Sequence, residues 1–442
     1  MTKKEEFCAA DLLNKEKDMK DGTKAIHAGR DLESTTHACA LPIYQTSAFN
    51  FEDSQYAADL FALQRTGNIY TRLTNPTNDV LEKRVAELEG GIGAVSTSSG
   101  MSAILTAILT ILKEEDEIVS STALYGGTHT LFSHTLKNLG ITTRFVEGEN
   151  IDDFEKQIND KTRAIYCESI PNPKLNIIDI EKLSALAHKY NIPLIVDNTV
   201  PSPYLFKPIE FGADIVVHSA TKFLGGHGTS LAGIVVDSGK FDWEKSGKFP
   251  QLVEPDVSYH GISYVKQFGA AAYILKVRAQ ILRDFGCCLS PFNAFMITQG
   301  IETLHLRMPK HSENAMKVAE FLRDNKNVSW VNYPGLSSHP NYETAKKQFK
   351  KGFGAMIGFG IKGGVEAGIK FIDNVKLLSH LANIGDAKSL VIHPVSTTHQ
   401  QLSAEEKIAS GVTDDFVRLS IGIEDAEDII EDLDRALNIA CS

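Results

Sequence analysis

The chain has 442 residues, of which 43% are hydrophobic and 23% charged, the composition of a globular protein with a full core. Its length is enough for two or three domains. The net charge of −11 argues against nucleic acid or an anionic membrane surface as the main partner.

The first 75 residues predict a tail and an arm rather than a core unit. Residues 1 to about 22 carry charges of both signs and lack the apolar centre of a signal peptide. Residues 23–66 form an irregular stretch, and the turn-rich segment 70–78 presents Tyr70 and Arg72. No window approaches 18 apolar residues, so we expect no membrane span. The six cysteines include no CxxC pair, which indicates reduced thiols in a cytoplasmic protein.

Residues 76–290 alternate strands with helices, a pattern typical of an α/β domain with a mostly parallel sheet. A helix from Asp79 to Glu89 ends at two glycines, as a helix stop should. We predict about seven strands, at 94–97, 117–122, 141–146, 163–168, 192–197, 213–219 and 232–236.

In residues 291–442 the regular alternation of strands and helices ends, and the pattern predicts a smaller α+β domain. Its predicted helices are 292–304, 314–324, 363–374 and 425–440, and its predicted strands are 354–361, 389–393 and 416–421.

Two consecutive strands of the first domain end in groups that can do chemistry. The apolar run 192–196 leads into Asp197, and the run 213–219 leads through Ser219 and Thr221 to Lys222. The carboxyl ends of parallel strands share one edge of a sheet, which is where ligands bind in open α/β folds. A lysine there can lose its charge by desolvation and become a nucleophile or form a Schiff base. The alternative is a solvated surface lysine, the usual state of this residue.

The other loops at this edge suggest one kind of ligand. Ser99, Gly100 and Met101 begin a helix, whose free N–H groups suit a phosphate, although many such helix starts bind nothing. Tyr125 lies on a loop where its ring could cover a ligand or simply pack on the core. A phosphate, an aromatic ring, a ring nitrogen for Asp197 and an aldehyde for a lysine occur together in pyridoxal 5'-phosphate (PLP).

These motifs resemble the Cys/Met-metabolism family of PLP-dependent enzymes, in order from about His27 to the C-terminus. The motifs that carry the resemblance are 70–72, 98–100, 124–128, 197–199 and 219–222. Further segments are similar to the branch that makes homocysteine from O-acetylhomoserine and sulfide: 241–243, 248–250, 258–261, 383–390 and 393–399. The resemblance implies the aspartate aminotransferase-like PLP-transferase architecture of fold type I.

The resemblance also implies a role for each matching residue. Lys222 would form the Schiff base with the cofactor and shuttle protons, and Asp197 would pair with the pyridine nitrogen. Tyr125 would stack on the ring, and Arg418 would take the substrate carboxylate. The phosphate would be held by Gly100, Met101, Ser219 and Thr221, and by Tyr70 and Arg72 of a neighbouring subunit; Asn172 and Ser389 would lie near the substrate carboxylate and the ring oxygen. From the sequence alone, Arg418 also fits an outward-facing strand residue.

Two departures from the family pattern bear on function. The related methionine-degrading γ-lyases carry a cysteine where this chain has Gly127, and Pro171 stands where the homocysteine-forming branch usually has glycine. His393 and His399 lack the spacing and the nearby carboxylate of a zinc site, so we expect no metal.

The expected activity is a γ-replacement that makes L-homocysteine and acetate from O-acetyl-L-homoserine and sulfide, in a homotetramer built from two active dimers. The alternatives are cystathionine synthesis from cysteine, γ-elimination as in the methionine γ-lyases, and a non-catalytic scaffold that keeps the fold. The aromatic segment Phe241–Tyr264 is expected to narrow the cleft and so favour sulfide over cysteine.

Overall fold

Two β-sheets organise the computed structural model, which describes residues 19–30, 35–397 and 411–442. The strands are β1 Gly93–Thr97, β2 Glu117–Ser121, β3 Thr142–Val146, β4 Thr162–Glu168, β5 Leu194–Asp197, β6 Ile215–Ser219, β7 Gly233–Asp237, β8 Val328–Asn332, β9 Met356–Ile361, β10 Ser379–His380, β11 Leu390–Ile392 and β12 Phe416–Ser420.

The helices surround both sheets. They are α1 Asp21–His27, α2 Ser54–Phe61, α3 Pro76–Glu89, α4 Gly100–Leu109, α5 Gly126–Thr130, α6 Leu136–Asn138, α7 Ile151–Gln157, α8 Ile180–Lys189, α9 Ser202–Leu205, α10 Trp243–Ser246, α11 Pro250–Val253, α12 Tyr264–Phe268, α13 Ala272–Lys276, α14 Arg283–Phe285, α15 Pro291–Glu302, α16 Leu304–Asp324, α17 Tyr342–Gln348, α18 Gly364–Asn374 and α19 Ala426–Ala440. Shorter helical turns are π-helical at Leu131–Thr135 and Val277–Leu282 and 3₁₀ at Pro208–Phe211, Gly269–Ala271 and Pro394–Ser396.

The first sheet has seven strands in the order β1-β7-β6-β5-β4-β2-β3. The strands from β6 to β3 run parallel to their neighbours, whereas β7 is antiparallel to both β6 and β1. The predicted mostly parallel sheet and its strand count are therefore confirmed. The central strands are apolar on both faces because helices cover both faces, as in other parallel sheets.

Register brings three strand ends to one edge of this sheet. Glu168 at the end of β4 lies opposite Asp197 at the end of β5. Asp197 in turn lies opposite Val217 of β6, two residues before Ser219. The peptide groups that follow these residues leave the sheet and form the loops of a cavity.

The second sheet has five strands in the order β10-β11-β12-β9-β8 and is mostly antiparallel. In it Arg418 of β12 lies between Ile392 of β11 and Gly358 of β9. One hydrophobic core cluster joins the two sheets, since Val196 of the first sheet and Phe359 of the second both belong to it. The two sheets are therefore held by shared packing.

The structure corrects several element predictions. The stretch 23–66, expected to be irregular, contains α2 and most of α1. The strands β8 and β10 and the helix α17 were not predicted. Helix α16 begins ten residues before the predicted start at Asn314, because Pro309, a residue that usually ends helices, is accommodated inside it. The N-terminal tail lies largely outside the described residues.

Candidate active site

One cavity lies at the shared edge of β4, β5 and β6 and gathers most of the predicted site. Its walls come from the first-sheet loops and, on the other side, from residues 382–384 and β12 of the second sheet. The predicted residues that line it are Gly100, Met101, Tyr125, Asn172, Asp197, Ser219, Thr221, Lys222 and Arg418.

The first turn of α4 forms one wall. Ser99 caps the helix, its Oγ accepting a hydrogen bond from the N–H of Ser102 at 3.2 Å. A Cβ added to Gly100 would lie 2.6 Å from the Cβ of Ser219, so only glycine lets the helix start approach the end of β6 so closely. Backbone N–H groups at a helix start beside two hydroxyls, Ser219 and Thr221, suit the phosphate of PLP.

Asp197 is held in place by its neighbours. Its Oδ1 accepts a hydrogen bond from the N–H of Thr199 at 2.9 Å, and its Oδ2 accepts a longer one, 3.5 Å, from the hydroxyl of Tyr166. Burial raises the pKa of the Asp197 carboxyl, and the hydrogen bonds from Thr199 partly offset that rise. A buried carboxylate facing a cavity is suited to a cationic ring nitrogen such as that of PLP.

Lys222 follows β6 and points to the same cavity. Its Nζ donates a hydrogen bond to the side-chain oxygen of Asn383. Burial, together with the nearby positive charge of Arg418, lowers the pKa of Lys222 to about 8. The amine is therefore partly neutral near physiological pH, as a nucleophilic lysine requires.

Arg307 of α16 anchors the loop that follows Lys222. This buried guanidinium donates hydrogen bonds to the carbonyl oxygens of Phe223 at 2.8 Å, Leu224 at 3.2 Å and Gly300 at 2.7 Å. Burial lowers the pKa of Arg307 to about 10. The backbone that follows the lysine is thus held by a side chain of α16.

Arg418 enters the cavity from the second sheet. Its Nη1 donates to the Asn172 Oδ1 at 3.2 Å and its Nη2 donates to the Asn383 carbonyl oxygen at 3.1 Å. No ion pair joins Arg418 to a carboxylate in the part of the chain that the structure describes, and burial lowers its pKa to about 10. A buried cation without an anion is costly, so the site is suited to an anionic group such as an α-carboxylate.

Tyr125 lies at the start of α5 with its ring half-exposed to the cavity. A Cβ added to Gly127 would lie 2.6 Å from the Cε1 of Tyr125, so the ring rests where a side chain at 127 would be. The ring position therefore depends on the absence of a side chain at Gly127.

Three predicted residues do not line the cavity. Tyr70 is exposed, and Arg72 donates from Nη1 to the carbonyl oxygen of Arg283 at 2.7 Å. Ser389 is buried elsewhere: its Oγ donates to Glu424 at 3.0 Å and accepts the N–H of Gly422 at 2.8 Å. Within this chain Ser389 therefore does not reach the cavity, because Glu424 holds it.

Glu168 and Asn383 are cavity residues to which the sequence analysis gave no role. Glu168 ends β4 opposite Asp197, and the strand-end argument used for Asp197 would have found it. Asn383 lies in the segment 383–390, which was singled out as a motif without a role, and it contacts both Lys222 and Arg418.

The aromatic segment 241–264 lies in the core and not at the cavity, contrary to the expectation from the sequence. Trp243, Phe249, Tyr259 and Tyr264 are buried in the hydrophobic core beneath the first sheet, and Phe241 packs against it. None of them lines the cavity. The expectation that this segment narrows the cleft is wrong, because its bulk packs against α13 and the π-helical turn that follows.

Helices long and apolar enough to cross a membrane are absent from the described residues. Within those same residues no three His, Cys, Asp or Glu side chains are grouped so as to hold a metal ion. His393 instead contacts the hydroxyl of Ser396 and the carbonyl oxygen of Asp414, and His399 lies outside the described residues. The five described cysteines are all free.

Comparisons with known proteins place these observations in context. A family model described as "Cys/Met metabolism PLP-dependent enzyme" matches residues 22–438. The chain is 55% identical over 430 residues to the O-acetyl-L-homoserine sulfhydrylase of Leptospira meyeri, covering 95% of this chain and 97% of that protein. It is 49% identical over 420 residues to the homocysteine synthase of Schizosaccharomyces pombe, covering 95% and 98%.

A solved structure from Campylobacter jejuni, which contains N'-pyridoxyl-lysine-5'-monophosphate, has a similar fold. It superposes with a TM-score of 0.92 at 41% identity, covering 95% of this chain and all of that one. The α/β architecture expected from the sequence is confirmed by this match.

Proposed function

Because this chain belongs to the Cys/Met metabolism PLP-dependent enzymes, with their fold type I architecture, we propose that it makes L-homocysteine and acetate from O-acetyl-L-homoserine and sulfide. The observation that carries the chemistry is Lys222, an amine with a pKa of about 8 that shares a cavity with Asp197 and Arg418. The choice of substrates is supported by the names of relatives that align over nearly the whole chain.

The cavity fits PLP. Asp197 would pair with the pyridine nitrogen, Tyr125 would cover the ring, and Lys222 would hold the aldehyde carbon. The phosphate would be held by Gly100, Met101, Ser219 and Thr221. When bound, PLP supplies an electron sink that lets a proton leave the substrate carbon next to the amine.

Lys222 is the proton carrier in this proposal. Once the substrate amine has displaced Lys222, its Nζ would take a proton from the substrate α-carbon and return it later. Burial and Arg418 favour the neutral amine, which can accept that proton. The side-chain oxygen of Asn383 gives the freed amine a hydrogen-bond partner.

Arg418 orients the substrate. Its guanidinium would bind the α-carboxylate through two N–H groups, while Asn172 and Asn383 fix its direction. With the carboxylate and the amine both held, the γ-carbon is where acetate leaves and sulfide adds. Ser389 would join the substrate site after a movement of Glu424, whose carboxylate accepts the hydrogen bond of the Ser389 hydroxyl.

We also propose that the site is completed by a second subunit. Tyr70 and Arg72 lie outside the cavity of their own chain, and Tyr70 is exposed. They would reach the phosphate in a neighbouring site, so the working unit is a dimer and the assembly a homotetramer of two such dimers. The proposed division into an arm at 1–75, a PLP-binding domain at 76–290 and a C-terminal domain at 291–442 follows the two sheets.

The proposed setting is the cytoplasm, where free thiols such as the described cysteines persist. The proposed partners are small molecules and further copies of this chain, without nucleic acid or membrane.

Product analysis tests the proposed function. The purified enzyme is given O-acetylhomoserine, O-succinylhomoserine, O-acetylserine or methionine, each with and without sulfide. We expect homocysteine from O-acetylhomoserine and sulfide as the main product. A competition between sulfide and cysteine at equal concentrations follows, and cystathionine as the main product would assign the chain to the cystathionine-forming branch. Methanethiol released from methionine without sulfide would instead indicate a γ-lyase.

A further inference from the structure

Glu168 is a second buried carboxylate in the cavity, with no role in the mechanism described above. It ends β4 directly opposite Asp197, and only 7% of its surface is exposed. Burial, and next the negative charge of Asp197, raise the pKa of Glu168 well above its usual range. Two neighbouring buried carboxyl groups lower the stability of the fold through desolvation and mutual repulsion. We therefore ask which hydrogen bonds Glu168 makes in return.

The two oxygens of Glu168 have separate partners. Oε1 accepts a hydrogen bond from the backbone N–H of Tyr125 at 2.6 Å, and Oε2 accepts one from the backbone N–H of Asn172 at 3.3 Å. These N–H groups belong to different loops, one after β2 and one after β4. A carboxylate can accept at both oxygens, whereas a glutamine of the same shape can accept at only one.

Each of the two loops carries a side chain that the reaction needs. The ring of Tyr125 faces the cavity, and the side chain of Asn172 accepts the hydrogen bond that orients Arg418. The position of the ring and the direction of the guanidinium are therefore linked through one side chain beneath both loops.

We propose that Glu168 is a positioning residue, which fixes the Tyr125 loop and the Asn172 loop relative to each other through its two carboxylate oxygens and thereby sets substrate affinity. The effect on the substrate rests on the proposed function, whereas the link between the loops does not. Glu168 itself transfers no proton in this proposal.

The first test measures the link in the protein without cofactor. Hydrogen–deuterium exchange is compared between wild type and Glu168→Gln, which replaces one accepting oxygen by an NH₂ group. We expect the amide of Tyr125, of Asn172 or of both to exchange about tenfold faster, the size expected when a buried N–H group loses its hydrogen-bond acceptor. Exchange at wild-type rates in both amides would overturn the proposal.

Asp214→Asn is the matched control. Asp214 is also a buried carboxylate, and it accepts the N–H of Leu194 at 2.8 Å and contacts His188 away from the cavity. This variant should speed exchange at Leu194 and leave Tyr125 and Asn172 unchanged. Faster exchange at all three amides in both variants would mean general loosening and would overturn a specific link.

The second test measures the effect on the reaction. In Glu168→Gln we expect the KM for O-acetylhomoserine to rise about tenfold, with a smaller change in kcat, while the cofactor still binds. An unchanged KM, or a loss confined to kcat, would overturn the positioning role. If Glu168→Gln does not fold, Glu168→Asp, which keeps both oxygens on a shorter stem, decides by the same two measurements. A wild-type enzyme that makes no homocysteine would refute the proposed function and leave the exchange test standing.

Discussion

Arg418 lies on β12 of the second sheet and Asn172 lies in the loop after β4 of the first sheet, 246 positions away in the chain, yet the guanidinium Nη1 donates to the Asn172 side-chain oxygen at 3.2 Å. The cation proposed to bind the substrate carboxylate is therefore supplied by one domain and oriented by the other. Because a shared core holds the sheets together, this geometry is set before any ligand arrives.

Replacing Arg418 should weaken substrate binding. We expect Arg418→Lys to raise the KM for O-acetylhomoserine about a hundredfold, since a lysine keeps the charge but not the two-pronged geometry. Steady-state kinetics measure the change. Arg163→Lys, at an ion pair with Asp116 outside the cavity, is the control and should leave KM unchanged. An unaltered KM in Arg418→Lys would contradict the assignment.

Lys222→Ala should abolish turnover without loss of the fold. Losing a partly buried amine removes a desolvated group, so the cofactor-free variant should unfold at or above the temperature of the cofactor-free wild type. Borohydride reduction of the wild-type enzyme, followed by peptide mapping, should label Lys222. Lys248→Ala is the control, because burial also lowers the pKa of that lysine outside the cavity. A label on another lysine would refute the assignment.

The amine of Lys222 should react over an unusual pH range. A lysine is nucleophilic only when neutral, so labelling of the cofactor-free protein should rise with pH and reach half its maximum at about pH 8. Arg418→Gln removes a positive charge that disfavours protonated Lys222, and the midpoint should move to higher pH. Labelling by trinitrobenzenesulfonate, quantified for the Lys222 peptide, gives the curve. A midpoint near 10.5, the usual value for lysine, would contradict the burial described above.

Two inactive variants should restore activity to each other. If Tyr70 and Arg72 serve a neighbouring site, a hybrid dimer of Arg72→Ala and Lys222→Ala subunits contains one intact site. Mixing the variants under conditions that exchange subunits should then recover up to about a quarter of wild-type activity, the statistical share for random pairing. Sedimentation should show a dimer or a tetramer. A fully active monomer would refute the shared site.

Gly127→Ala should displace the ring of Tyr125. The added Cβ would lie 2.6 Å from the ring carbon Cε1, closer than real contacts allow. We expect about a tenfold loss in kcat/KM, in keeping with the sensitivity of catalysis to small misplacements. Gly126→Ala is the matched control, since an added Cβ there meets nothing within 4 Å. Equal activities of the two variants would show that the ring position is not critical.

The sequence predicts the part of the site that depends on strand ends. Asp197 and Lys222 follow apolar runs that are typical of buried strands, and the register shows that these two strands are neighbours that end at one edge. Arg418 is different, since nothing in its own strand pattern distinguishes an inward from an outward arginine. Its direction comes from Asn172 and Asn383, which are distant in the chain.

Other features depend on packing that a local pattern does not contain. The aromatic residues Trp243 and Phe249 fit either a cleft wall or a core, and the structure places them in the core. Pro309 fits a helix boundary by local rules, yet helix α16 continues through it because its buried face includes Met308 and Ala315. In both cases burial against the rest of the protein determines the structure, and the local sequence is compatible with either alternative.

The topology of the first sheet has a consequence for how the protein is made. Among the strands of the described residues β1 pairs with β7 alone, so Gly93–Thr97 cannot join the sheet until the ribosome has completed Gly233–Asp237. Until then a nascent chain presents an open strand edge and an unfinished sheet, the kind of surface that recruits chaperones or aggregates. Because the antiparallel β7 lies between β1 and β6, the first sheet cannot be completed before β7 has been synthesised.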